Sequence, residues 1–315
     1  CLAAGGPDPG GLEPLGRRPD QVFGYPATNA SSYRSALLAG PGRIYDQSPS
    51  SGHIDCPGGG QVWVDGDILY VGHMREPAGT TLFDVSDPKS PREIFRIDMP
   101  IGWHSHKVRV SNGVMLVNHE RLGTDGSPEF GGGLGIYDVS SPADPKLITK
   151  WKTGGRGVHR YSFDGRYAYI SPTVEGYIGN IVMILDLVDP GRPIEVGRWW
   201  IPGQWKAGGE NYPWDGWVPP RCHHPLRRDN RLYVSYWHHG FFILDIQNMS
   251  EPKLISSMNT SPTFPHPTHT CLAMPDRIKG RDIMVVADED AHRLLAHGGL
   301  VTIPRRLVVV REGDD

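Results

Sequence analysis

The 315-residue sequence has no long hydrophobic run, few cysteines and little net charge. No apolar stretch approaches the roughly 18 residues of a membrane-spanning helix, so no membrane span is expected. The formal net charge is −3, and no basic patch with interleaved aromatic residues occurs, which argues against nucleic acid as the main partner. No convincing Gly-x-Ser-x-Gly elbow, phosphate loop or dinucleotide fingerprint is present, which argues against serine hydrolases and nucleotide-dependent enzymes.

Cysteine is scarce, with four residues in the chain, of which Cys1 is the first residue. The three others imply no disulfide framework, so reduced thiols are expected, and this favours the cytoplasm. Cys1 keeps a second location open, because a mature bacterial lipoprotein begins with a lipidated cysteine and a flexible tether. A lipid anchor on Cys1 at the cell envelope is therefore the alternative.

Glycine and proline are abundant, with 40 and 29 residues, while hydrophobic residues make up 38% of the chain. That hydrophobic fraction suffices for a core, so the glycine and proline belong to turns rather than to disordered segments. Residues 1 to 20 have few groups to bury and are predicted to form a flexible lead. Residues 21 to 315 contain no linker within their repeats and are predicted to form a single domain.

A repeat with a period near fifty residues runs through this domain. In each copy a histidine opens a short extended run, a turn dipeptide follows five residues later, and an apolar strand comes next. Aligned without gaps, the pattern begins at His106, His159 and His224, and with an insertion it begins again at His269. Gly60 takes the place of the histidine in the first copy.

A second marker has the same period: an aspartate ends an apolar strand, and a proline stands seven residues on. Two independent markers in one frame predict an all-β chain, a β-propeller of four-stranded blades with at least four complete repeats and an incomplete fifth. An unfinished blade leaves an open edge, so self-association by strand addition is an expected property. The marker pairs are Asp84 and Pro91, Asp138 and Pro145, Asp186 and Pro193, and Asp245 and Pro252.

The first strand of each propeller blade lines the central channel, so residues at one repeat position form a ring. We therefore predict that His106, His159, His224 and His269 bind one transition-metal ion, because imidazole suits iron, copper, manganese and zinc. The alternative is that these histidines brace the blade junctions through hydrogen bonds. The auxiliary candidates beside this frame are His53, Cys56, His104, Cys222, His223, His266 and Cys271.

The thiols among these candidates are either metal or redox ligands or small apolar fillers, and burial is the commoner fate of a free cysteine. Glu120, Glu210 and Glu289 are conceivable acids or bases at the channel mouth, but such residues are more often solvated loop carboxylates. No catalytic residue is assigned from the sequence.

The repeat units resemble the LVIVD-repeat β-propeller family, which is related in architecture to selenium-binding proteins. The likeness rests on the period and on segments such as Ser86-Asp87-Pro88, Tyr137-Asp138-Val139-Ser140 and Leu244-Asp245-Ile246, and it covers roughly residues 50 to 290. The motifs Trp103–Val108 and Cys222–Pro225 add to it. Because selenium-binding proteins include a copper-linked methanethiol oxidase, and carotenoid-cleaving oxygenases hold iron with four axial histidines, the resemblance implies redox chemistry.

These observations favour a metal-dependent oxidoreductase that acts on a small organic or sulfur-containing molecule at the histidine ring. One alternative is a metal-assisted hydrolase or lyase on the same ring. Another is a non-catalytic propeller scaffold that binds a protein partner. Bound metal separates the scaffold from the enzymes, and the identity of the metal separates redox from Lewis-acid chemistry, because zinc cannot cycle electrons whereas iron and copper can.

Overall fold

The computed structural model describes residues 52–54, 56, 58–123, 126–214, 218–259, 267–278 and 280–289, together with the backbone of 307–311. The predicted flexible lead, with Cys1, and the candidate ligand His266 lie outside these residues. No helix in the described part of the chain has the length and apolar character needed to cross a membrane.

The described chain consists of short antiparallel strands in four hydrogen-bonded sheets, of which the second has nine strands and divides at a single residue pair into two units. Five successive units result, here called sheets 1 to 5, each built from strands adjacent in sequence. Sheet 1 contains β1 (Gly59–Asp65), β2 (Ile68–His73), β3 (Ala78–Asp84) and β4 (Arg92–Asp98). Sheet 2 contains β5 (Trp103–His104), β6 (Val108–Ser111), β7 (Val114–Arg121), β8 (Gly133–Asp138) and β9 (Lys146–Lys152). Sheet 3 contains β10 (Gly154–Phe163), β11 (Tyr167–Val174), β12 (Val182–Asp186) and β13 (Ile194–Trp199).

Sheet 4 contains β14 (His224–Arg228), β15 (Arg231–Ser235), β16 (Phe241–Asp245) and β17 (Lys253–Met258). Sheet 5 contains β18 (Thr268–Ala273), β19 (Ile283–Asp288) and β20 (Leu307–Arg311), so it has three strands among the described residues. Sheets 2 and 3 are joined by one pair, Gly157 with Glu120. Short 3-10 turns occur at Pro128–Phe130 and Lys206–Gly208. The predicted four-stranded units are confirmed, whereas the number of blades stays a prediction.

The aspartate marker has a local physical cause. Asp84, Asp138, Asp186 and Asp245 each end the last strand but one of a sheet, and each carboxylate accepts a hydrogen bond from the backbone N–H two residues later, at 2.8–2.9 Å. An aspartate that bonds its own backbone in this way stabilises a turn. The marker therefore fixes the turn before the last strand in sheets 1 to 4.

Hydrophobic clusters fill the spaces between neighbouring sheets. Leu116 and Ile136 of sheet 2 pack with Tyr161, Ile170 and Leu185 of sheet 3. Equivalent clusters join sheet 1 to sheet 2, sheet 3 to sheet 4 and sheet 4 to sheet 5. Burial of one such side chain contributes roughly 1.5–3 kcal/mol, so this face-to-face packing holds the array together. Sheets packed in sequence around their first strands are the arrangement of a β-propeller, and the predicted fold class is confirmed.

Candidate metal centre

In sheets 2, 3 and 4, a polar side chain on a neighbouring strand holds the backbone of the residue that directly follows one histidine. Asn118 accepts a hydrogen bond from the N–H of Lys107 at 2.7 Å, and Ser171 accepts one from Arg160 at 2.9 Å. Ser235 accepts one from the N–H of His224 at 3.1 Å. Each of these acceptors stands twelve positions after a histidine, and those histidines are His106, His159 and His223.

In sheet 4 the structure therefore places His223, rather than His224, at the position of His106 and His159. The predicted frame aligned Ser111-Asn112 in sheet 2 with Asp229-Asn230 in sheet 4 as the two turns. In the structure Ser111 pairs with Val114, so the turn in sheet 2 is Asn112-Gly113. Arg228 pairs with Arg231, so the turn in sheet 4 is Asp229-Asn230 as predicted. Asn112 and Asp229 have φ angles of 53° and 51°, which two-residue hairpin turns require at their first position. The equivalence of these turns shifts the frame of sheet 4 by one residue.

Four imidazole rings form a continuous arc, which we call the histidine arc: His106, His159, His223 and His269. The ring centroids of successive members are 5.2, 4.9 and 4.5 Å apart. His106 and His223 are buried, and His159 and His269 are half-buried. The arc joins three of the four predicted ligands with the auxiliary candidate His223. In sheet 1 the equivalent position is held by Gly60. A Cβ atom at this position would lie only 2.6 Å from the carbonyl oxygen of His106, so a side chain does not fit there.

Glu120 orients two histidines at the sheet 2 end of the arc. Its Oε2 atom accepts hydrogen bonds from Nε2 of His104 at 2.8 Å and from Nδ1 of His159 at 2.7 Å. Burial alone would raise the pKa of the Glu120 carboxyl, but attraction to His159 and the hydrogen bonds from both imidazoles outweigh it, so the pKa lies well below its usual value. Burial lowers the pKa of His159 to about 4 against the opposing effect of Glu120. At neutral pH the pair consists of a carboxylate and a neutral imidazole.

The hydrogen bonds of the arc determine which ring nitrogen carries the lone pair. His159 donates from Nδ1 to Glu120, which leaves the lone pair on Nε2. His223 donates from Nδ1 to the carbonyl oxygen of His269 at 2.7 Å. Nε2 of His269 accepts a hydrogen bond from Arg160, so the proton of this ring lies on Nδ1, which donates to Thr270 Oγ1 at 2.8 Å. All three rings therefore carry an Nε2 lone pair.

His106 has the opposite tautomer. The amide oxygen of Asn118 is engaged by the Lys107 N–H, so its Nδ2 donates to the carbonyl oxygen of Val158 at 2.9 Å and to Nδ1 of His106 at 3.2 Å. Because Nδ1 of His106 accepts, the proton of the neutral ring lies on Nε2. Burial holds the pKa of His106 well below its usual value, which keeps the ring neutral. His106 is thus a hydrogen-bond donor in this state.

An internal cation already occupies two of the lone pairs. The Arg160 guanidinium donates from Nε to Nε2 of His223 at 3.2 Å and from Nη2 to Nε2 of His269 at 2.6 Å. The carboxylate of Glu289 lies 3.7 Å from the same nitrogen of His269. Two sets of side chains have ligand atoms within 4.8 Å of one another, His104 with His106 and Glu120, and His223 with His269 and Glu289.

The remaining predicted residues lie apart from the arc. His224 is buried, and its Nδ1 has no hydrogen-bond partner in the described chain. Cys222 and Cys271 pack in the hydrophobic clusters between sheets, where burial raises the pKa of both thiols. His53 is exposed, and Cys56 is half-buried against the outer cluster of sheet 1. The structure therefore supports the reading of the two buried thiols as apolar fillers.

Glu120 and Arg160 are the main site residues that sequence reasoning did not select. A carboxylate at the channel mouth was expected to be solvated, but the Glu120 side chain is only 12% exposed and accepts hydrogen bonds from two imidazoles. The places of both residues in the repeat are regular, since Glu120 stands two positions after Asn118 and Arg160 directly follows His159. Their partners, however, lie far away in the sequence.

Comparison with known proteins agrees with this architecture. The sequence profile of the LVIVD repeat matches residues 59–99 and 229–260, which correspond to sheet 1 and to most of sheet 4. The structure of a hypothetical selenium-binding protein from Sulfolobus tokodaii is similar, with a TM-score of 0.52 and 16% identity. The match covers 73% of this chain and 57% of that one, so this chain spans little more than half the length of that protein.

Two further solved structures are similar at lower scores. A putative 6-phosphogluconolactonase from Bacteroides uniformis has a TM-score of 0.47 and 12% identity over 73% of this chain and 66% of its own. An endo-arabinanase from Bacillus licheniformis has a TM-score of 0.35 and 13% identity over 83% of this chain and 95% of its own. No curated protein sequence matches the chain. The predicted resemblance is confirmed at the level of the repeat and the fold, and the protein is an all-β chain that carries LVIVD repeats.

Proposed function

We propose that the protein is a metal-dependent oxidoreductase that acts on a small organic or sulfur-containing molecule at the histidine arc. The observation that carries this proposal is the common tautomer of His159, His223 and His269, whose Nδ1 hydrogen bonds all leave an Nε2 lone pair. Histidines that bind metals in proteins have this arrangement, with the second ring nitrogen donating to a carboxylate or a carbonyl oxygen.

The donor set fits a transition metal. Three imidazoles, with the Glu289 carboxylate beside His269, offer nitrogen and oxygen ligands that suit iron, copper, manganese or zinc. Iron or copper held there would supply one-electron chemistry. His159, His223 and His269 would hold the ion, and Arg160 would have to release the two lone pairs to which it donates.

The neighbouring side chains would orient and enclose such a site. Glu120 holds the Nδ1 proton of His159 and so directs its Nε2 lone pair. The Trp237 ring packs against His223, with the two ring centroids 4.7 Å apart, and adds an apolar surface beside this ligand. Loss of a carboxylate that orients a metal ligand in this way typically lowers metal affinity roughly 10–100-fold. A loss on that order is therefore expected for Glu120→Gln.

A metal-assisted hydrolase or lyase is the second candidate, and Glu289 favours it. Its carboxylate is 44% exposed and 3.7 Å from Nε2 of His269, a position from which a half-solvated carboxylate could accept a proton from a water or substrate. The two candidates require different metals, because zinc supports Lewis-acid chemistry but not electron transfer.

The proposal is tested by two variants at neighbouring positions, His223→Ala and His224→Ala. The full chain, loaded with iron, copper, manganese or zinc and then freed of excess metal, is expected to hold about one ion. His223→Ala removes a ligand and should lose most of this metal, as should His159→Ala, whereas His224→Ala should retain it. Elemental analysis gives the metal content, and circular dichroism verifies that each variant is folded.

The outcome also ranks the three functional classes. Retention of iron or copper, with a reversible redox signal that His223→Ala lacks, supports the oxidoreductase. Retention of zinc alone supports the hydrolase or lyase. A wild-type chain that takes up none of the four metals contradicts both enzymes and leaves a protein-binding scaffold.

A further inference from the structure

One layer of the channel, one residue along the first strands from the histidine arc, is polar and cationic. The layer consists of the residues that directly follow the arc positions in sheets 1 to 5, namely Gln61, Lys107, Arg160, His224 and Thr270. The hydrogen bonds to Asn118, Ser171 and Ser235 establish that Lys107, Arg160 and His224 are equivalent positions. Burial is strong at two of them, where Lys107 is 5% and His224 6% exposed.

Polar atoms in this layer are left without partners. Among the described residues, only the backbone of Lys107 takes part in hydrogen bonds, and its ammonium forms no ion pair. Nδ1 of His224 and Oε1 of Gln61 are buried and make no hydrogen bond. Burial lowers the pKa of Lys107 well below its usual value, Arg160 and Arg109 act in the same direction, and Glu120 and Glu289 oppose them. A buried ammonium is costly unless anionic or polar groups compensate it. Lys107 also lies close enough to His224 to act on it electrostatically, although the two belong to different sheets.

Positive charge is in excess around Lys107 and Arg160. The groups that act electrostatically on Lys107 and Arg160 include Arg109 and Arg221 as further cations and Glu120 and Glu289 as the carboxylates. Four cations thus face two carboxylates. Glu120 is engaged by His104 and His159, and Glu289 lies beside His269, so both carboxylates are shared with other groups and neither forms an ion pair with Lys107.

A cavity of about 580 Å³ opens at the other end of the same strands. Its lining includes Trp63, Ser162, Leu226 and Leu272, each of which stands two residues beyond a member of the cationic layer. Side chains two apart on a strand project from the same face. The cavity therefore lies along the same strands as the layer, two residues further on and on the side away from the histidine arc.

We propose that this layer is a binding site for a small oxyanion, such as a carboxylate, with Lys107 as its counter-charge and His224 and Arg160 beside it. The anion is either a free inorganic ion or the acidic group of an organic molecule, since both present the same oxygen atoms to an ammonium. The site is distinct from the proposed metal centre, because its unpartnered groups are Lys107 and His224 rather than members of the arc.

The test measures anion binding to the full chain by isothermal titration calorimetry, once after removal of metal with a chelator and once after metal loading. Sodium acetate and sodium sulfate are the probes, at constant ionic strength with sodium chloride as the background. Wild-type protein is expected to bind at least one probe saturably with one site per chain. Lys107→Met should weaken this binding about tenfold or more, because the anion loses its charge-assisted contact.

Two control variants separate this site from general charge effects. Lys107→Arg keeps the charge and should bind within a few-fold of wild type. Lys253→Met removes the same charge from an exposed lysine of strand β17, which is 69% exposed, and should bind as wild type does. Lys107→Met should be at least as resistant to urea as wild type, since methionine needs no counter-charge in this position. Its metal content should also be unchanged, so that failure of this proposal is distinguishable from failure of the metal centre.

The source of the anion follows from a series of carboxylates. Affinity that rises from acetate to propionate and butyrate identifies the acidic group of an organic ligand, whereas tighter binding of sulfate than of any carboxylate identifies a free inorganic ion. Absence of saturable binding by every probe, or equal binding by wild type and Lys107→Met, overturns the proposal.

Discussion

Sheets 1 and 2 have the same strand order and the same aspartate turn, but they differ where they face the channel. The positions of His106 and Asn118 in sheet 2 are held by Gly60 and Gly72 in sheet 1. The backbone of sheet 1 lies directly against His106, so that a Cβ atom on Gly72 would be 2.6 Å from the His106 carbonyl carbon. The four-stranded framework therefore forms with or without a histidine in the channel. The chemistry of the arc depends on two side chains per sheet rather than on the sheet itself.

The largest effect is expected where the two sheets touch. Gly72→Ala forces a methyl group against the backbone of His106 and Lys107, at 2.6 and 2.9 Å, and backbone atoms cannot rotate away. We expect a loss of about 3 kcal/mol in the free energy of unfolding, the upper range for an overpacked core. Urea denaturation measures this loss.

The control for this variant is Gly66→Asn in the turn of the same sheet. Gly66 has a φ of 57° and open space around it, and sheet 2 already carries Asn112 with a φ of 53° at the equivalent turn. Asparagine tolerates this backbone conformation, so the variant should change stability by less than about 1 kcal/mol. Equal losses in the two variants would contradict the close approach of sheet 1 to His106.

A smaller effect is expected from the side chain that positions His106. Asn118→Ala leaves the Lys107 N–H and the Val158 carbonyl without their partner, and each buried unsatisfied group costs about 1–3 kcal/mol. We expect a loss of about 2 kcal/mol for Asn118→Ala and about half of that for Asn118→Ser, because serine performs this role in sheets 3 and 4. If serine is no better than alanine, the equivalence of the three sheets is wrong.

The smallest effect, expressed as the change in the free energy of unfolding per pH unit, is expected from His119. This residue holds the position in sheet 2 that His73 holds in sheet 1. Burial lowers the pKa of His119 from an ordinary value of 6.5 to about 3. Below pH 6.5 the unfolded chain therefore binds a proton at His119 that the folded chain does not bind. The free energy of unfolding is at its full value above pH 6.5 and decreases as the pH falls toward 3. The expected contribution is about 1.4 kcal/mol per pH unit between pH 6 and 4.

His119→Phe should remove this contribution, so that the free energy of unfolding falls less steeply on acidification than in wild type. His53→Ala changes an exposed histidine and serves as the control. Urea denaturation at pH 7, 6 and 5 measures the three slopes. Parallel curves for wild type and His119→Phe would show that His119 takes up a proton in the folded protein as readily as in the unfolded chain.

Local hydrogen bonds explain what the sequence predicted well. The aspartate marker succeeded because each carboxylate bonds a backbone group only two residues away, so that the whole interaction lies within one short segment. The order of the strands followed from this marker and from the alternation of apolar runs. The fold class was therefore predictable without long-range information.

The site was predictable only in part. The histidine frame brought together His106, His159 and His269, but a turn that required positive φ at Asn112 displaced the sheet 4 member by one residue. The acceptor twelve residues after each histidine would have corrected it. Glu120 and Arg160 lie beyond such reasoning, because their partners are 39 and 109 residues away in the chain and depend on how neighbouring sheets pack.

The Arg160 guanidinium gives the proposed metal site a kinetic property. Because it donates to the lone pairs of His223 and His269, an arriving ion would have to displace a cation that is tethered to the chain. The rate of metal uptake would then stop rising with metal concentration once release of the guanidinium becomes limiting. The same two hydrogen bonds fix the His223 and His269 rings relative to strand β10, on which Arg160 lies.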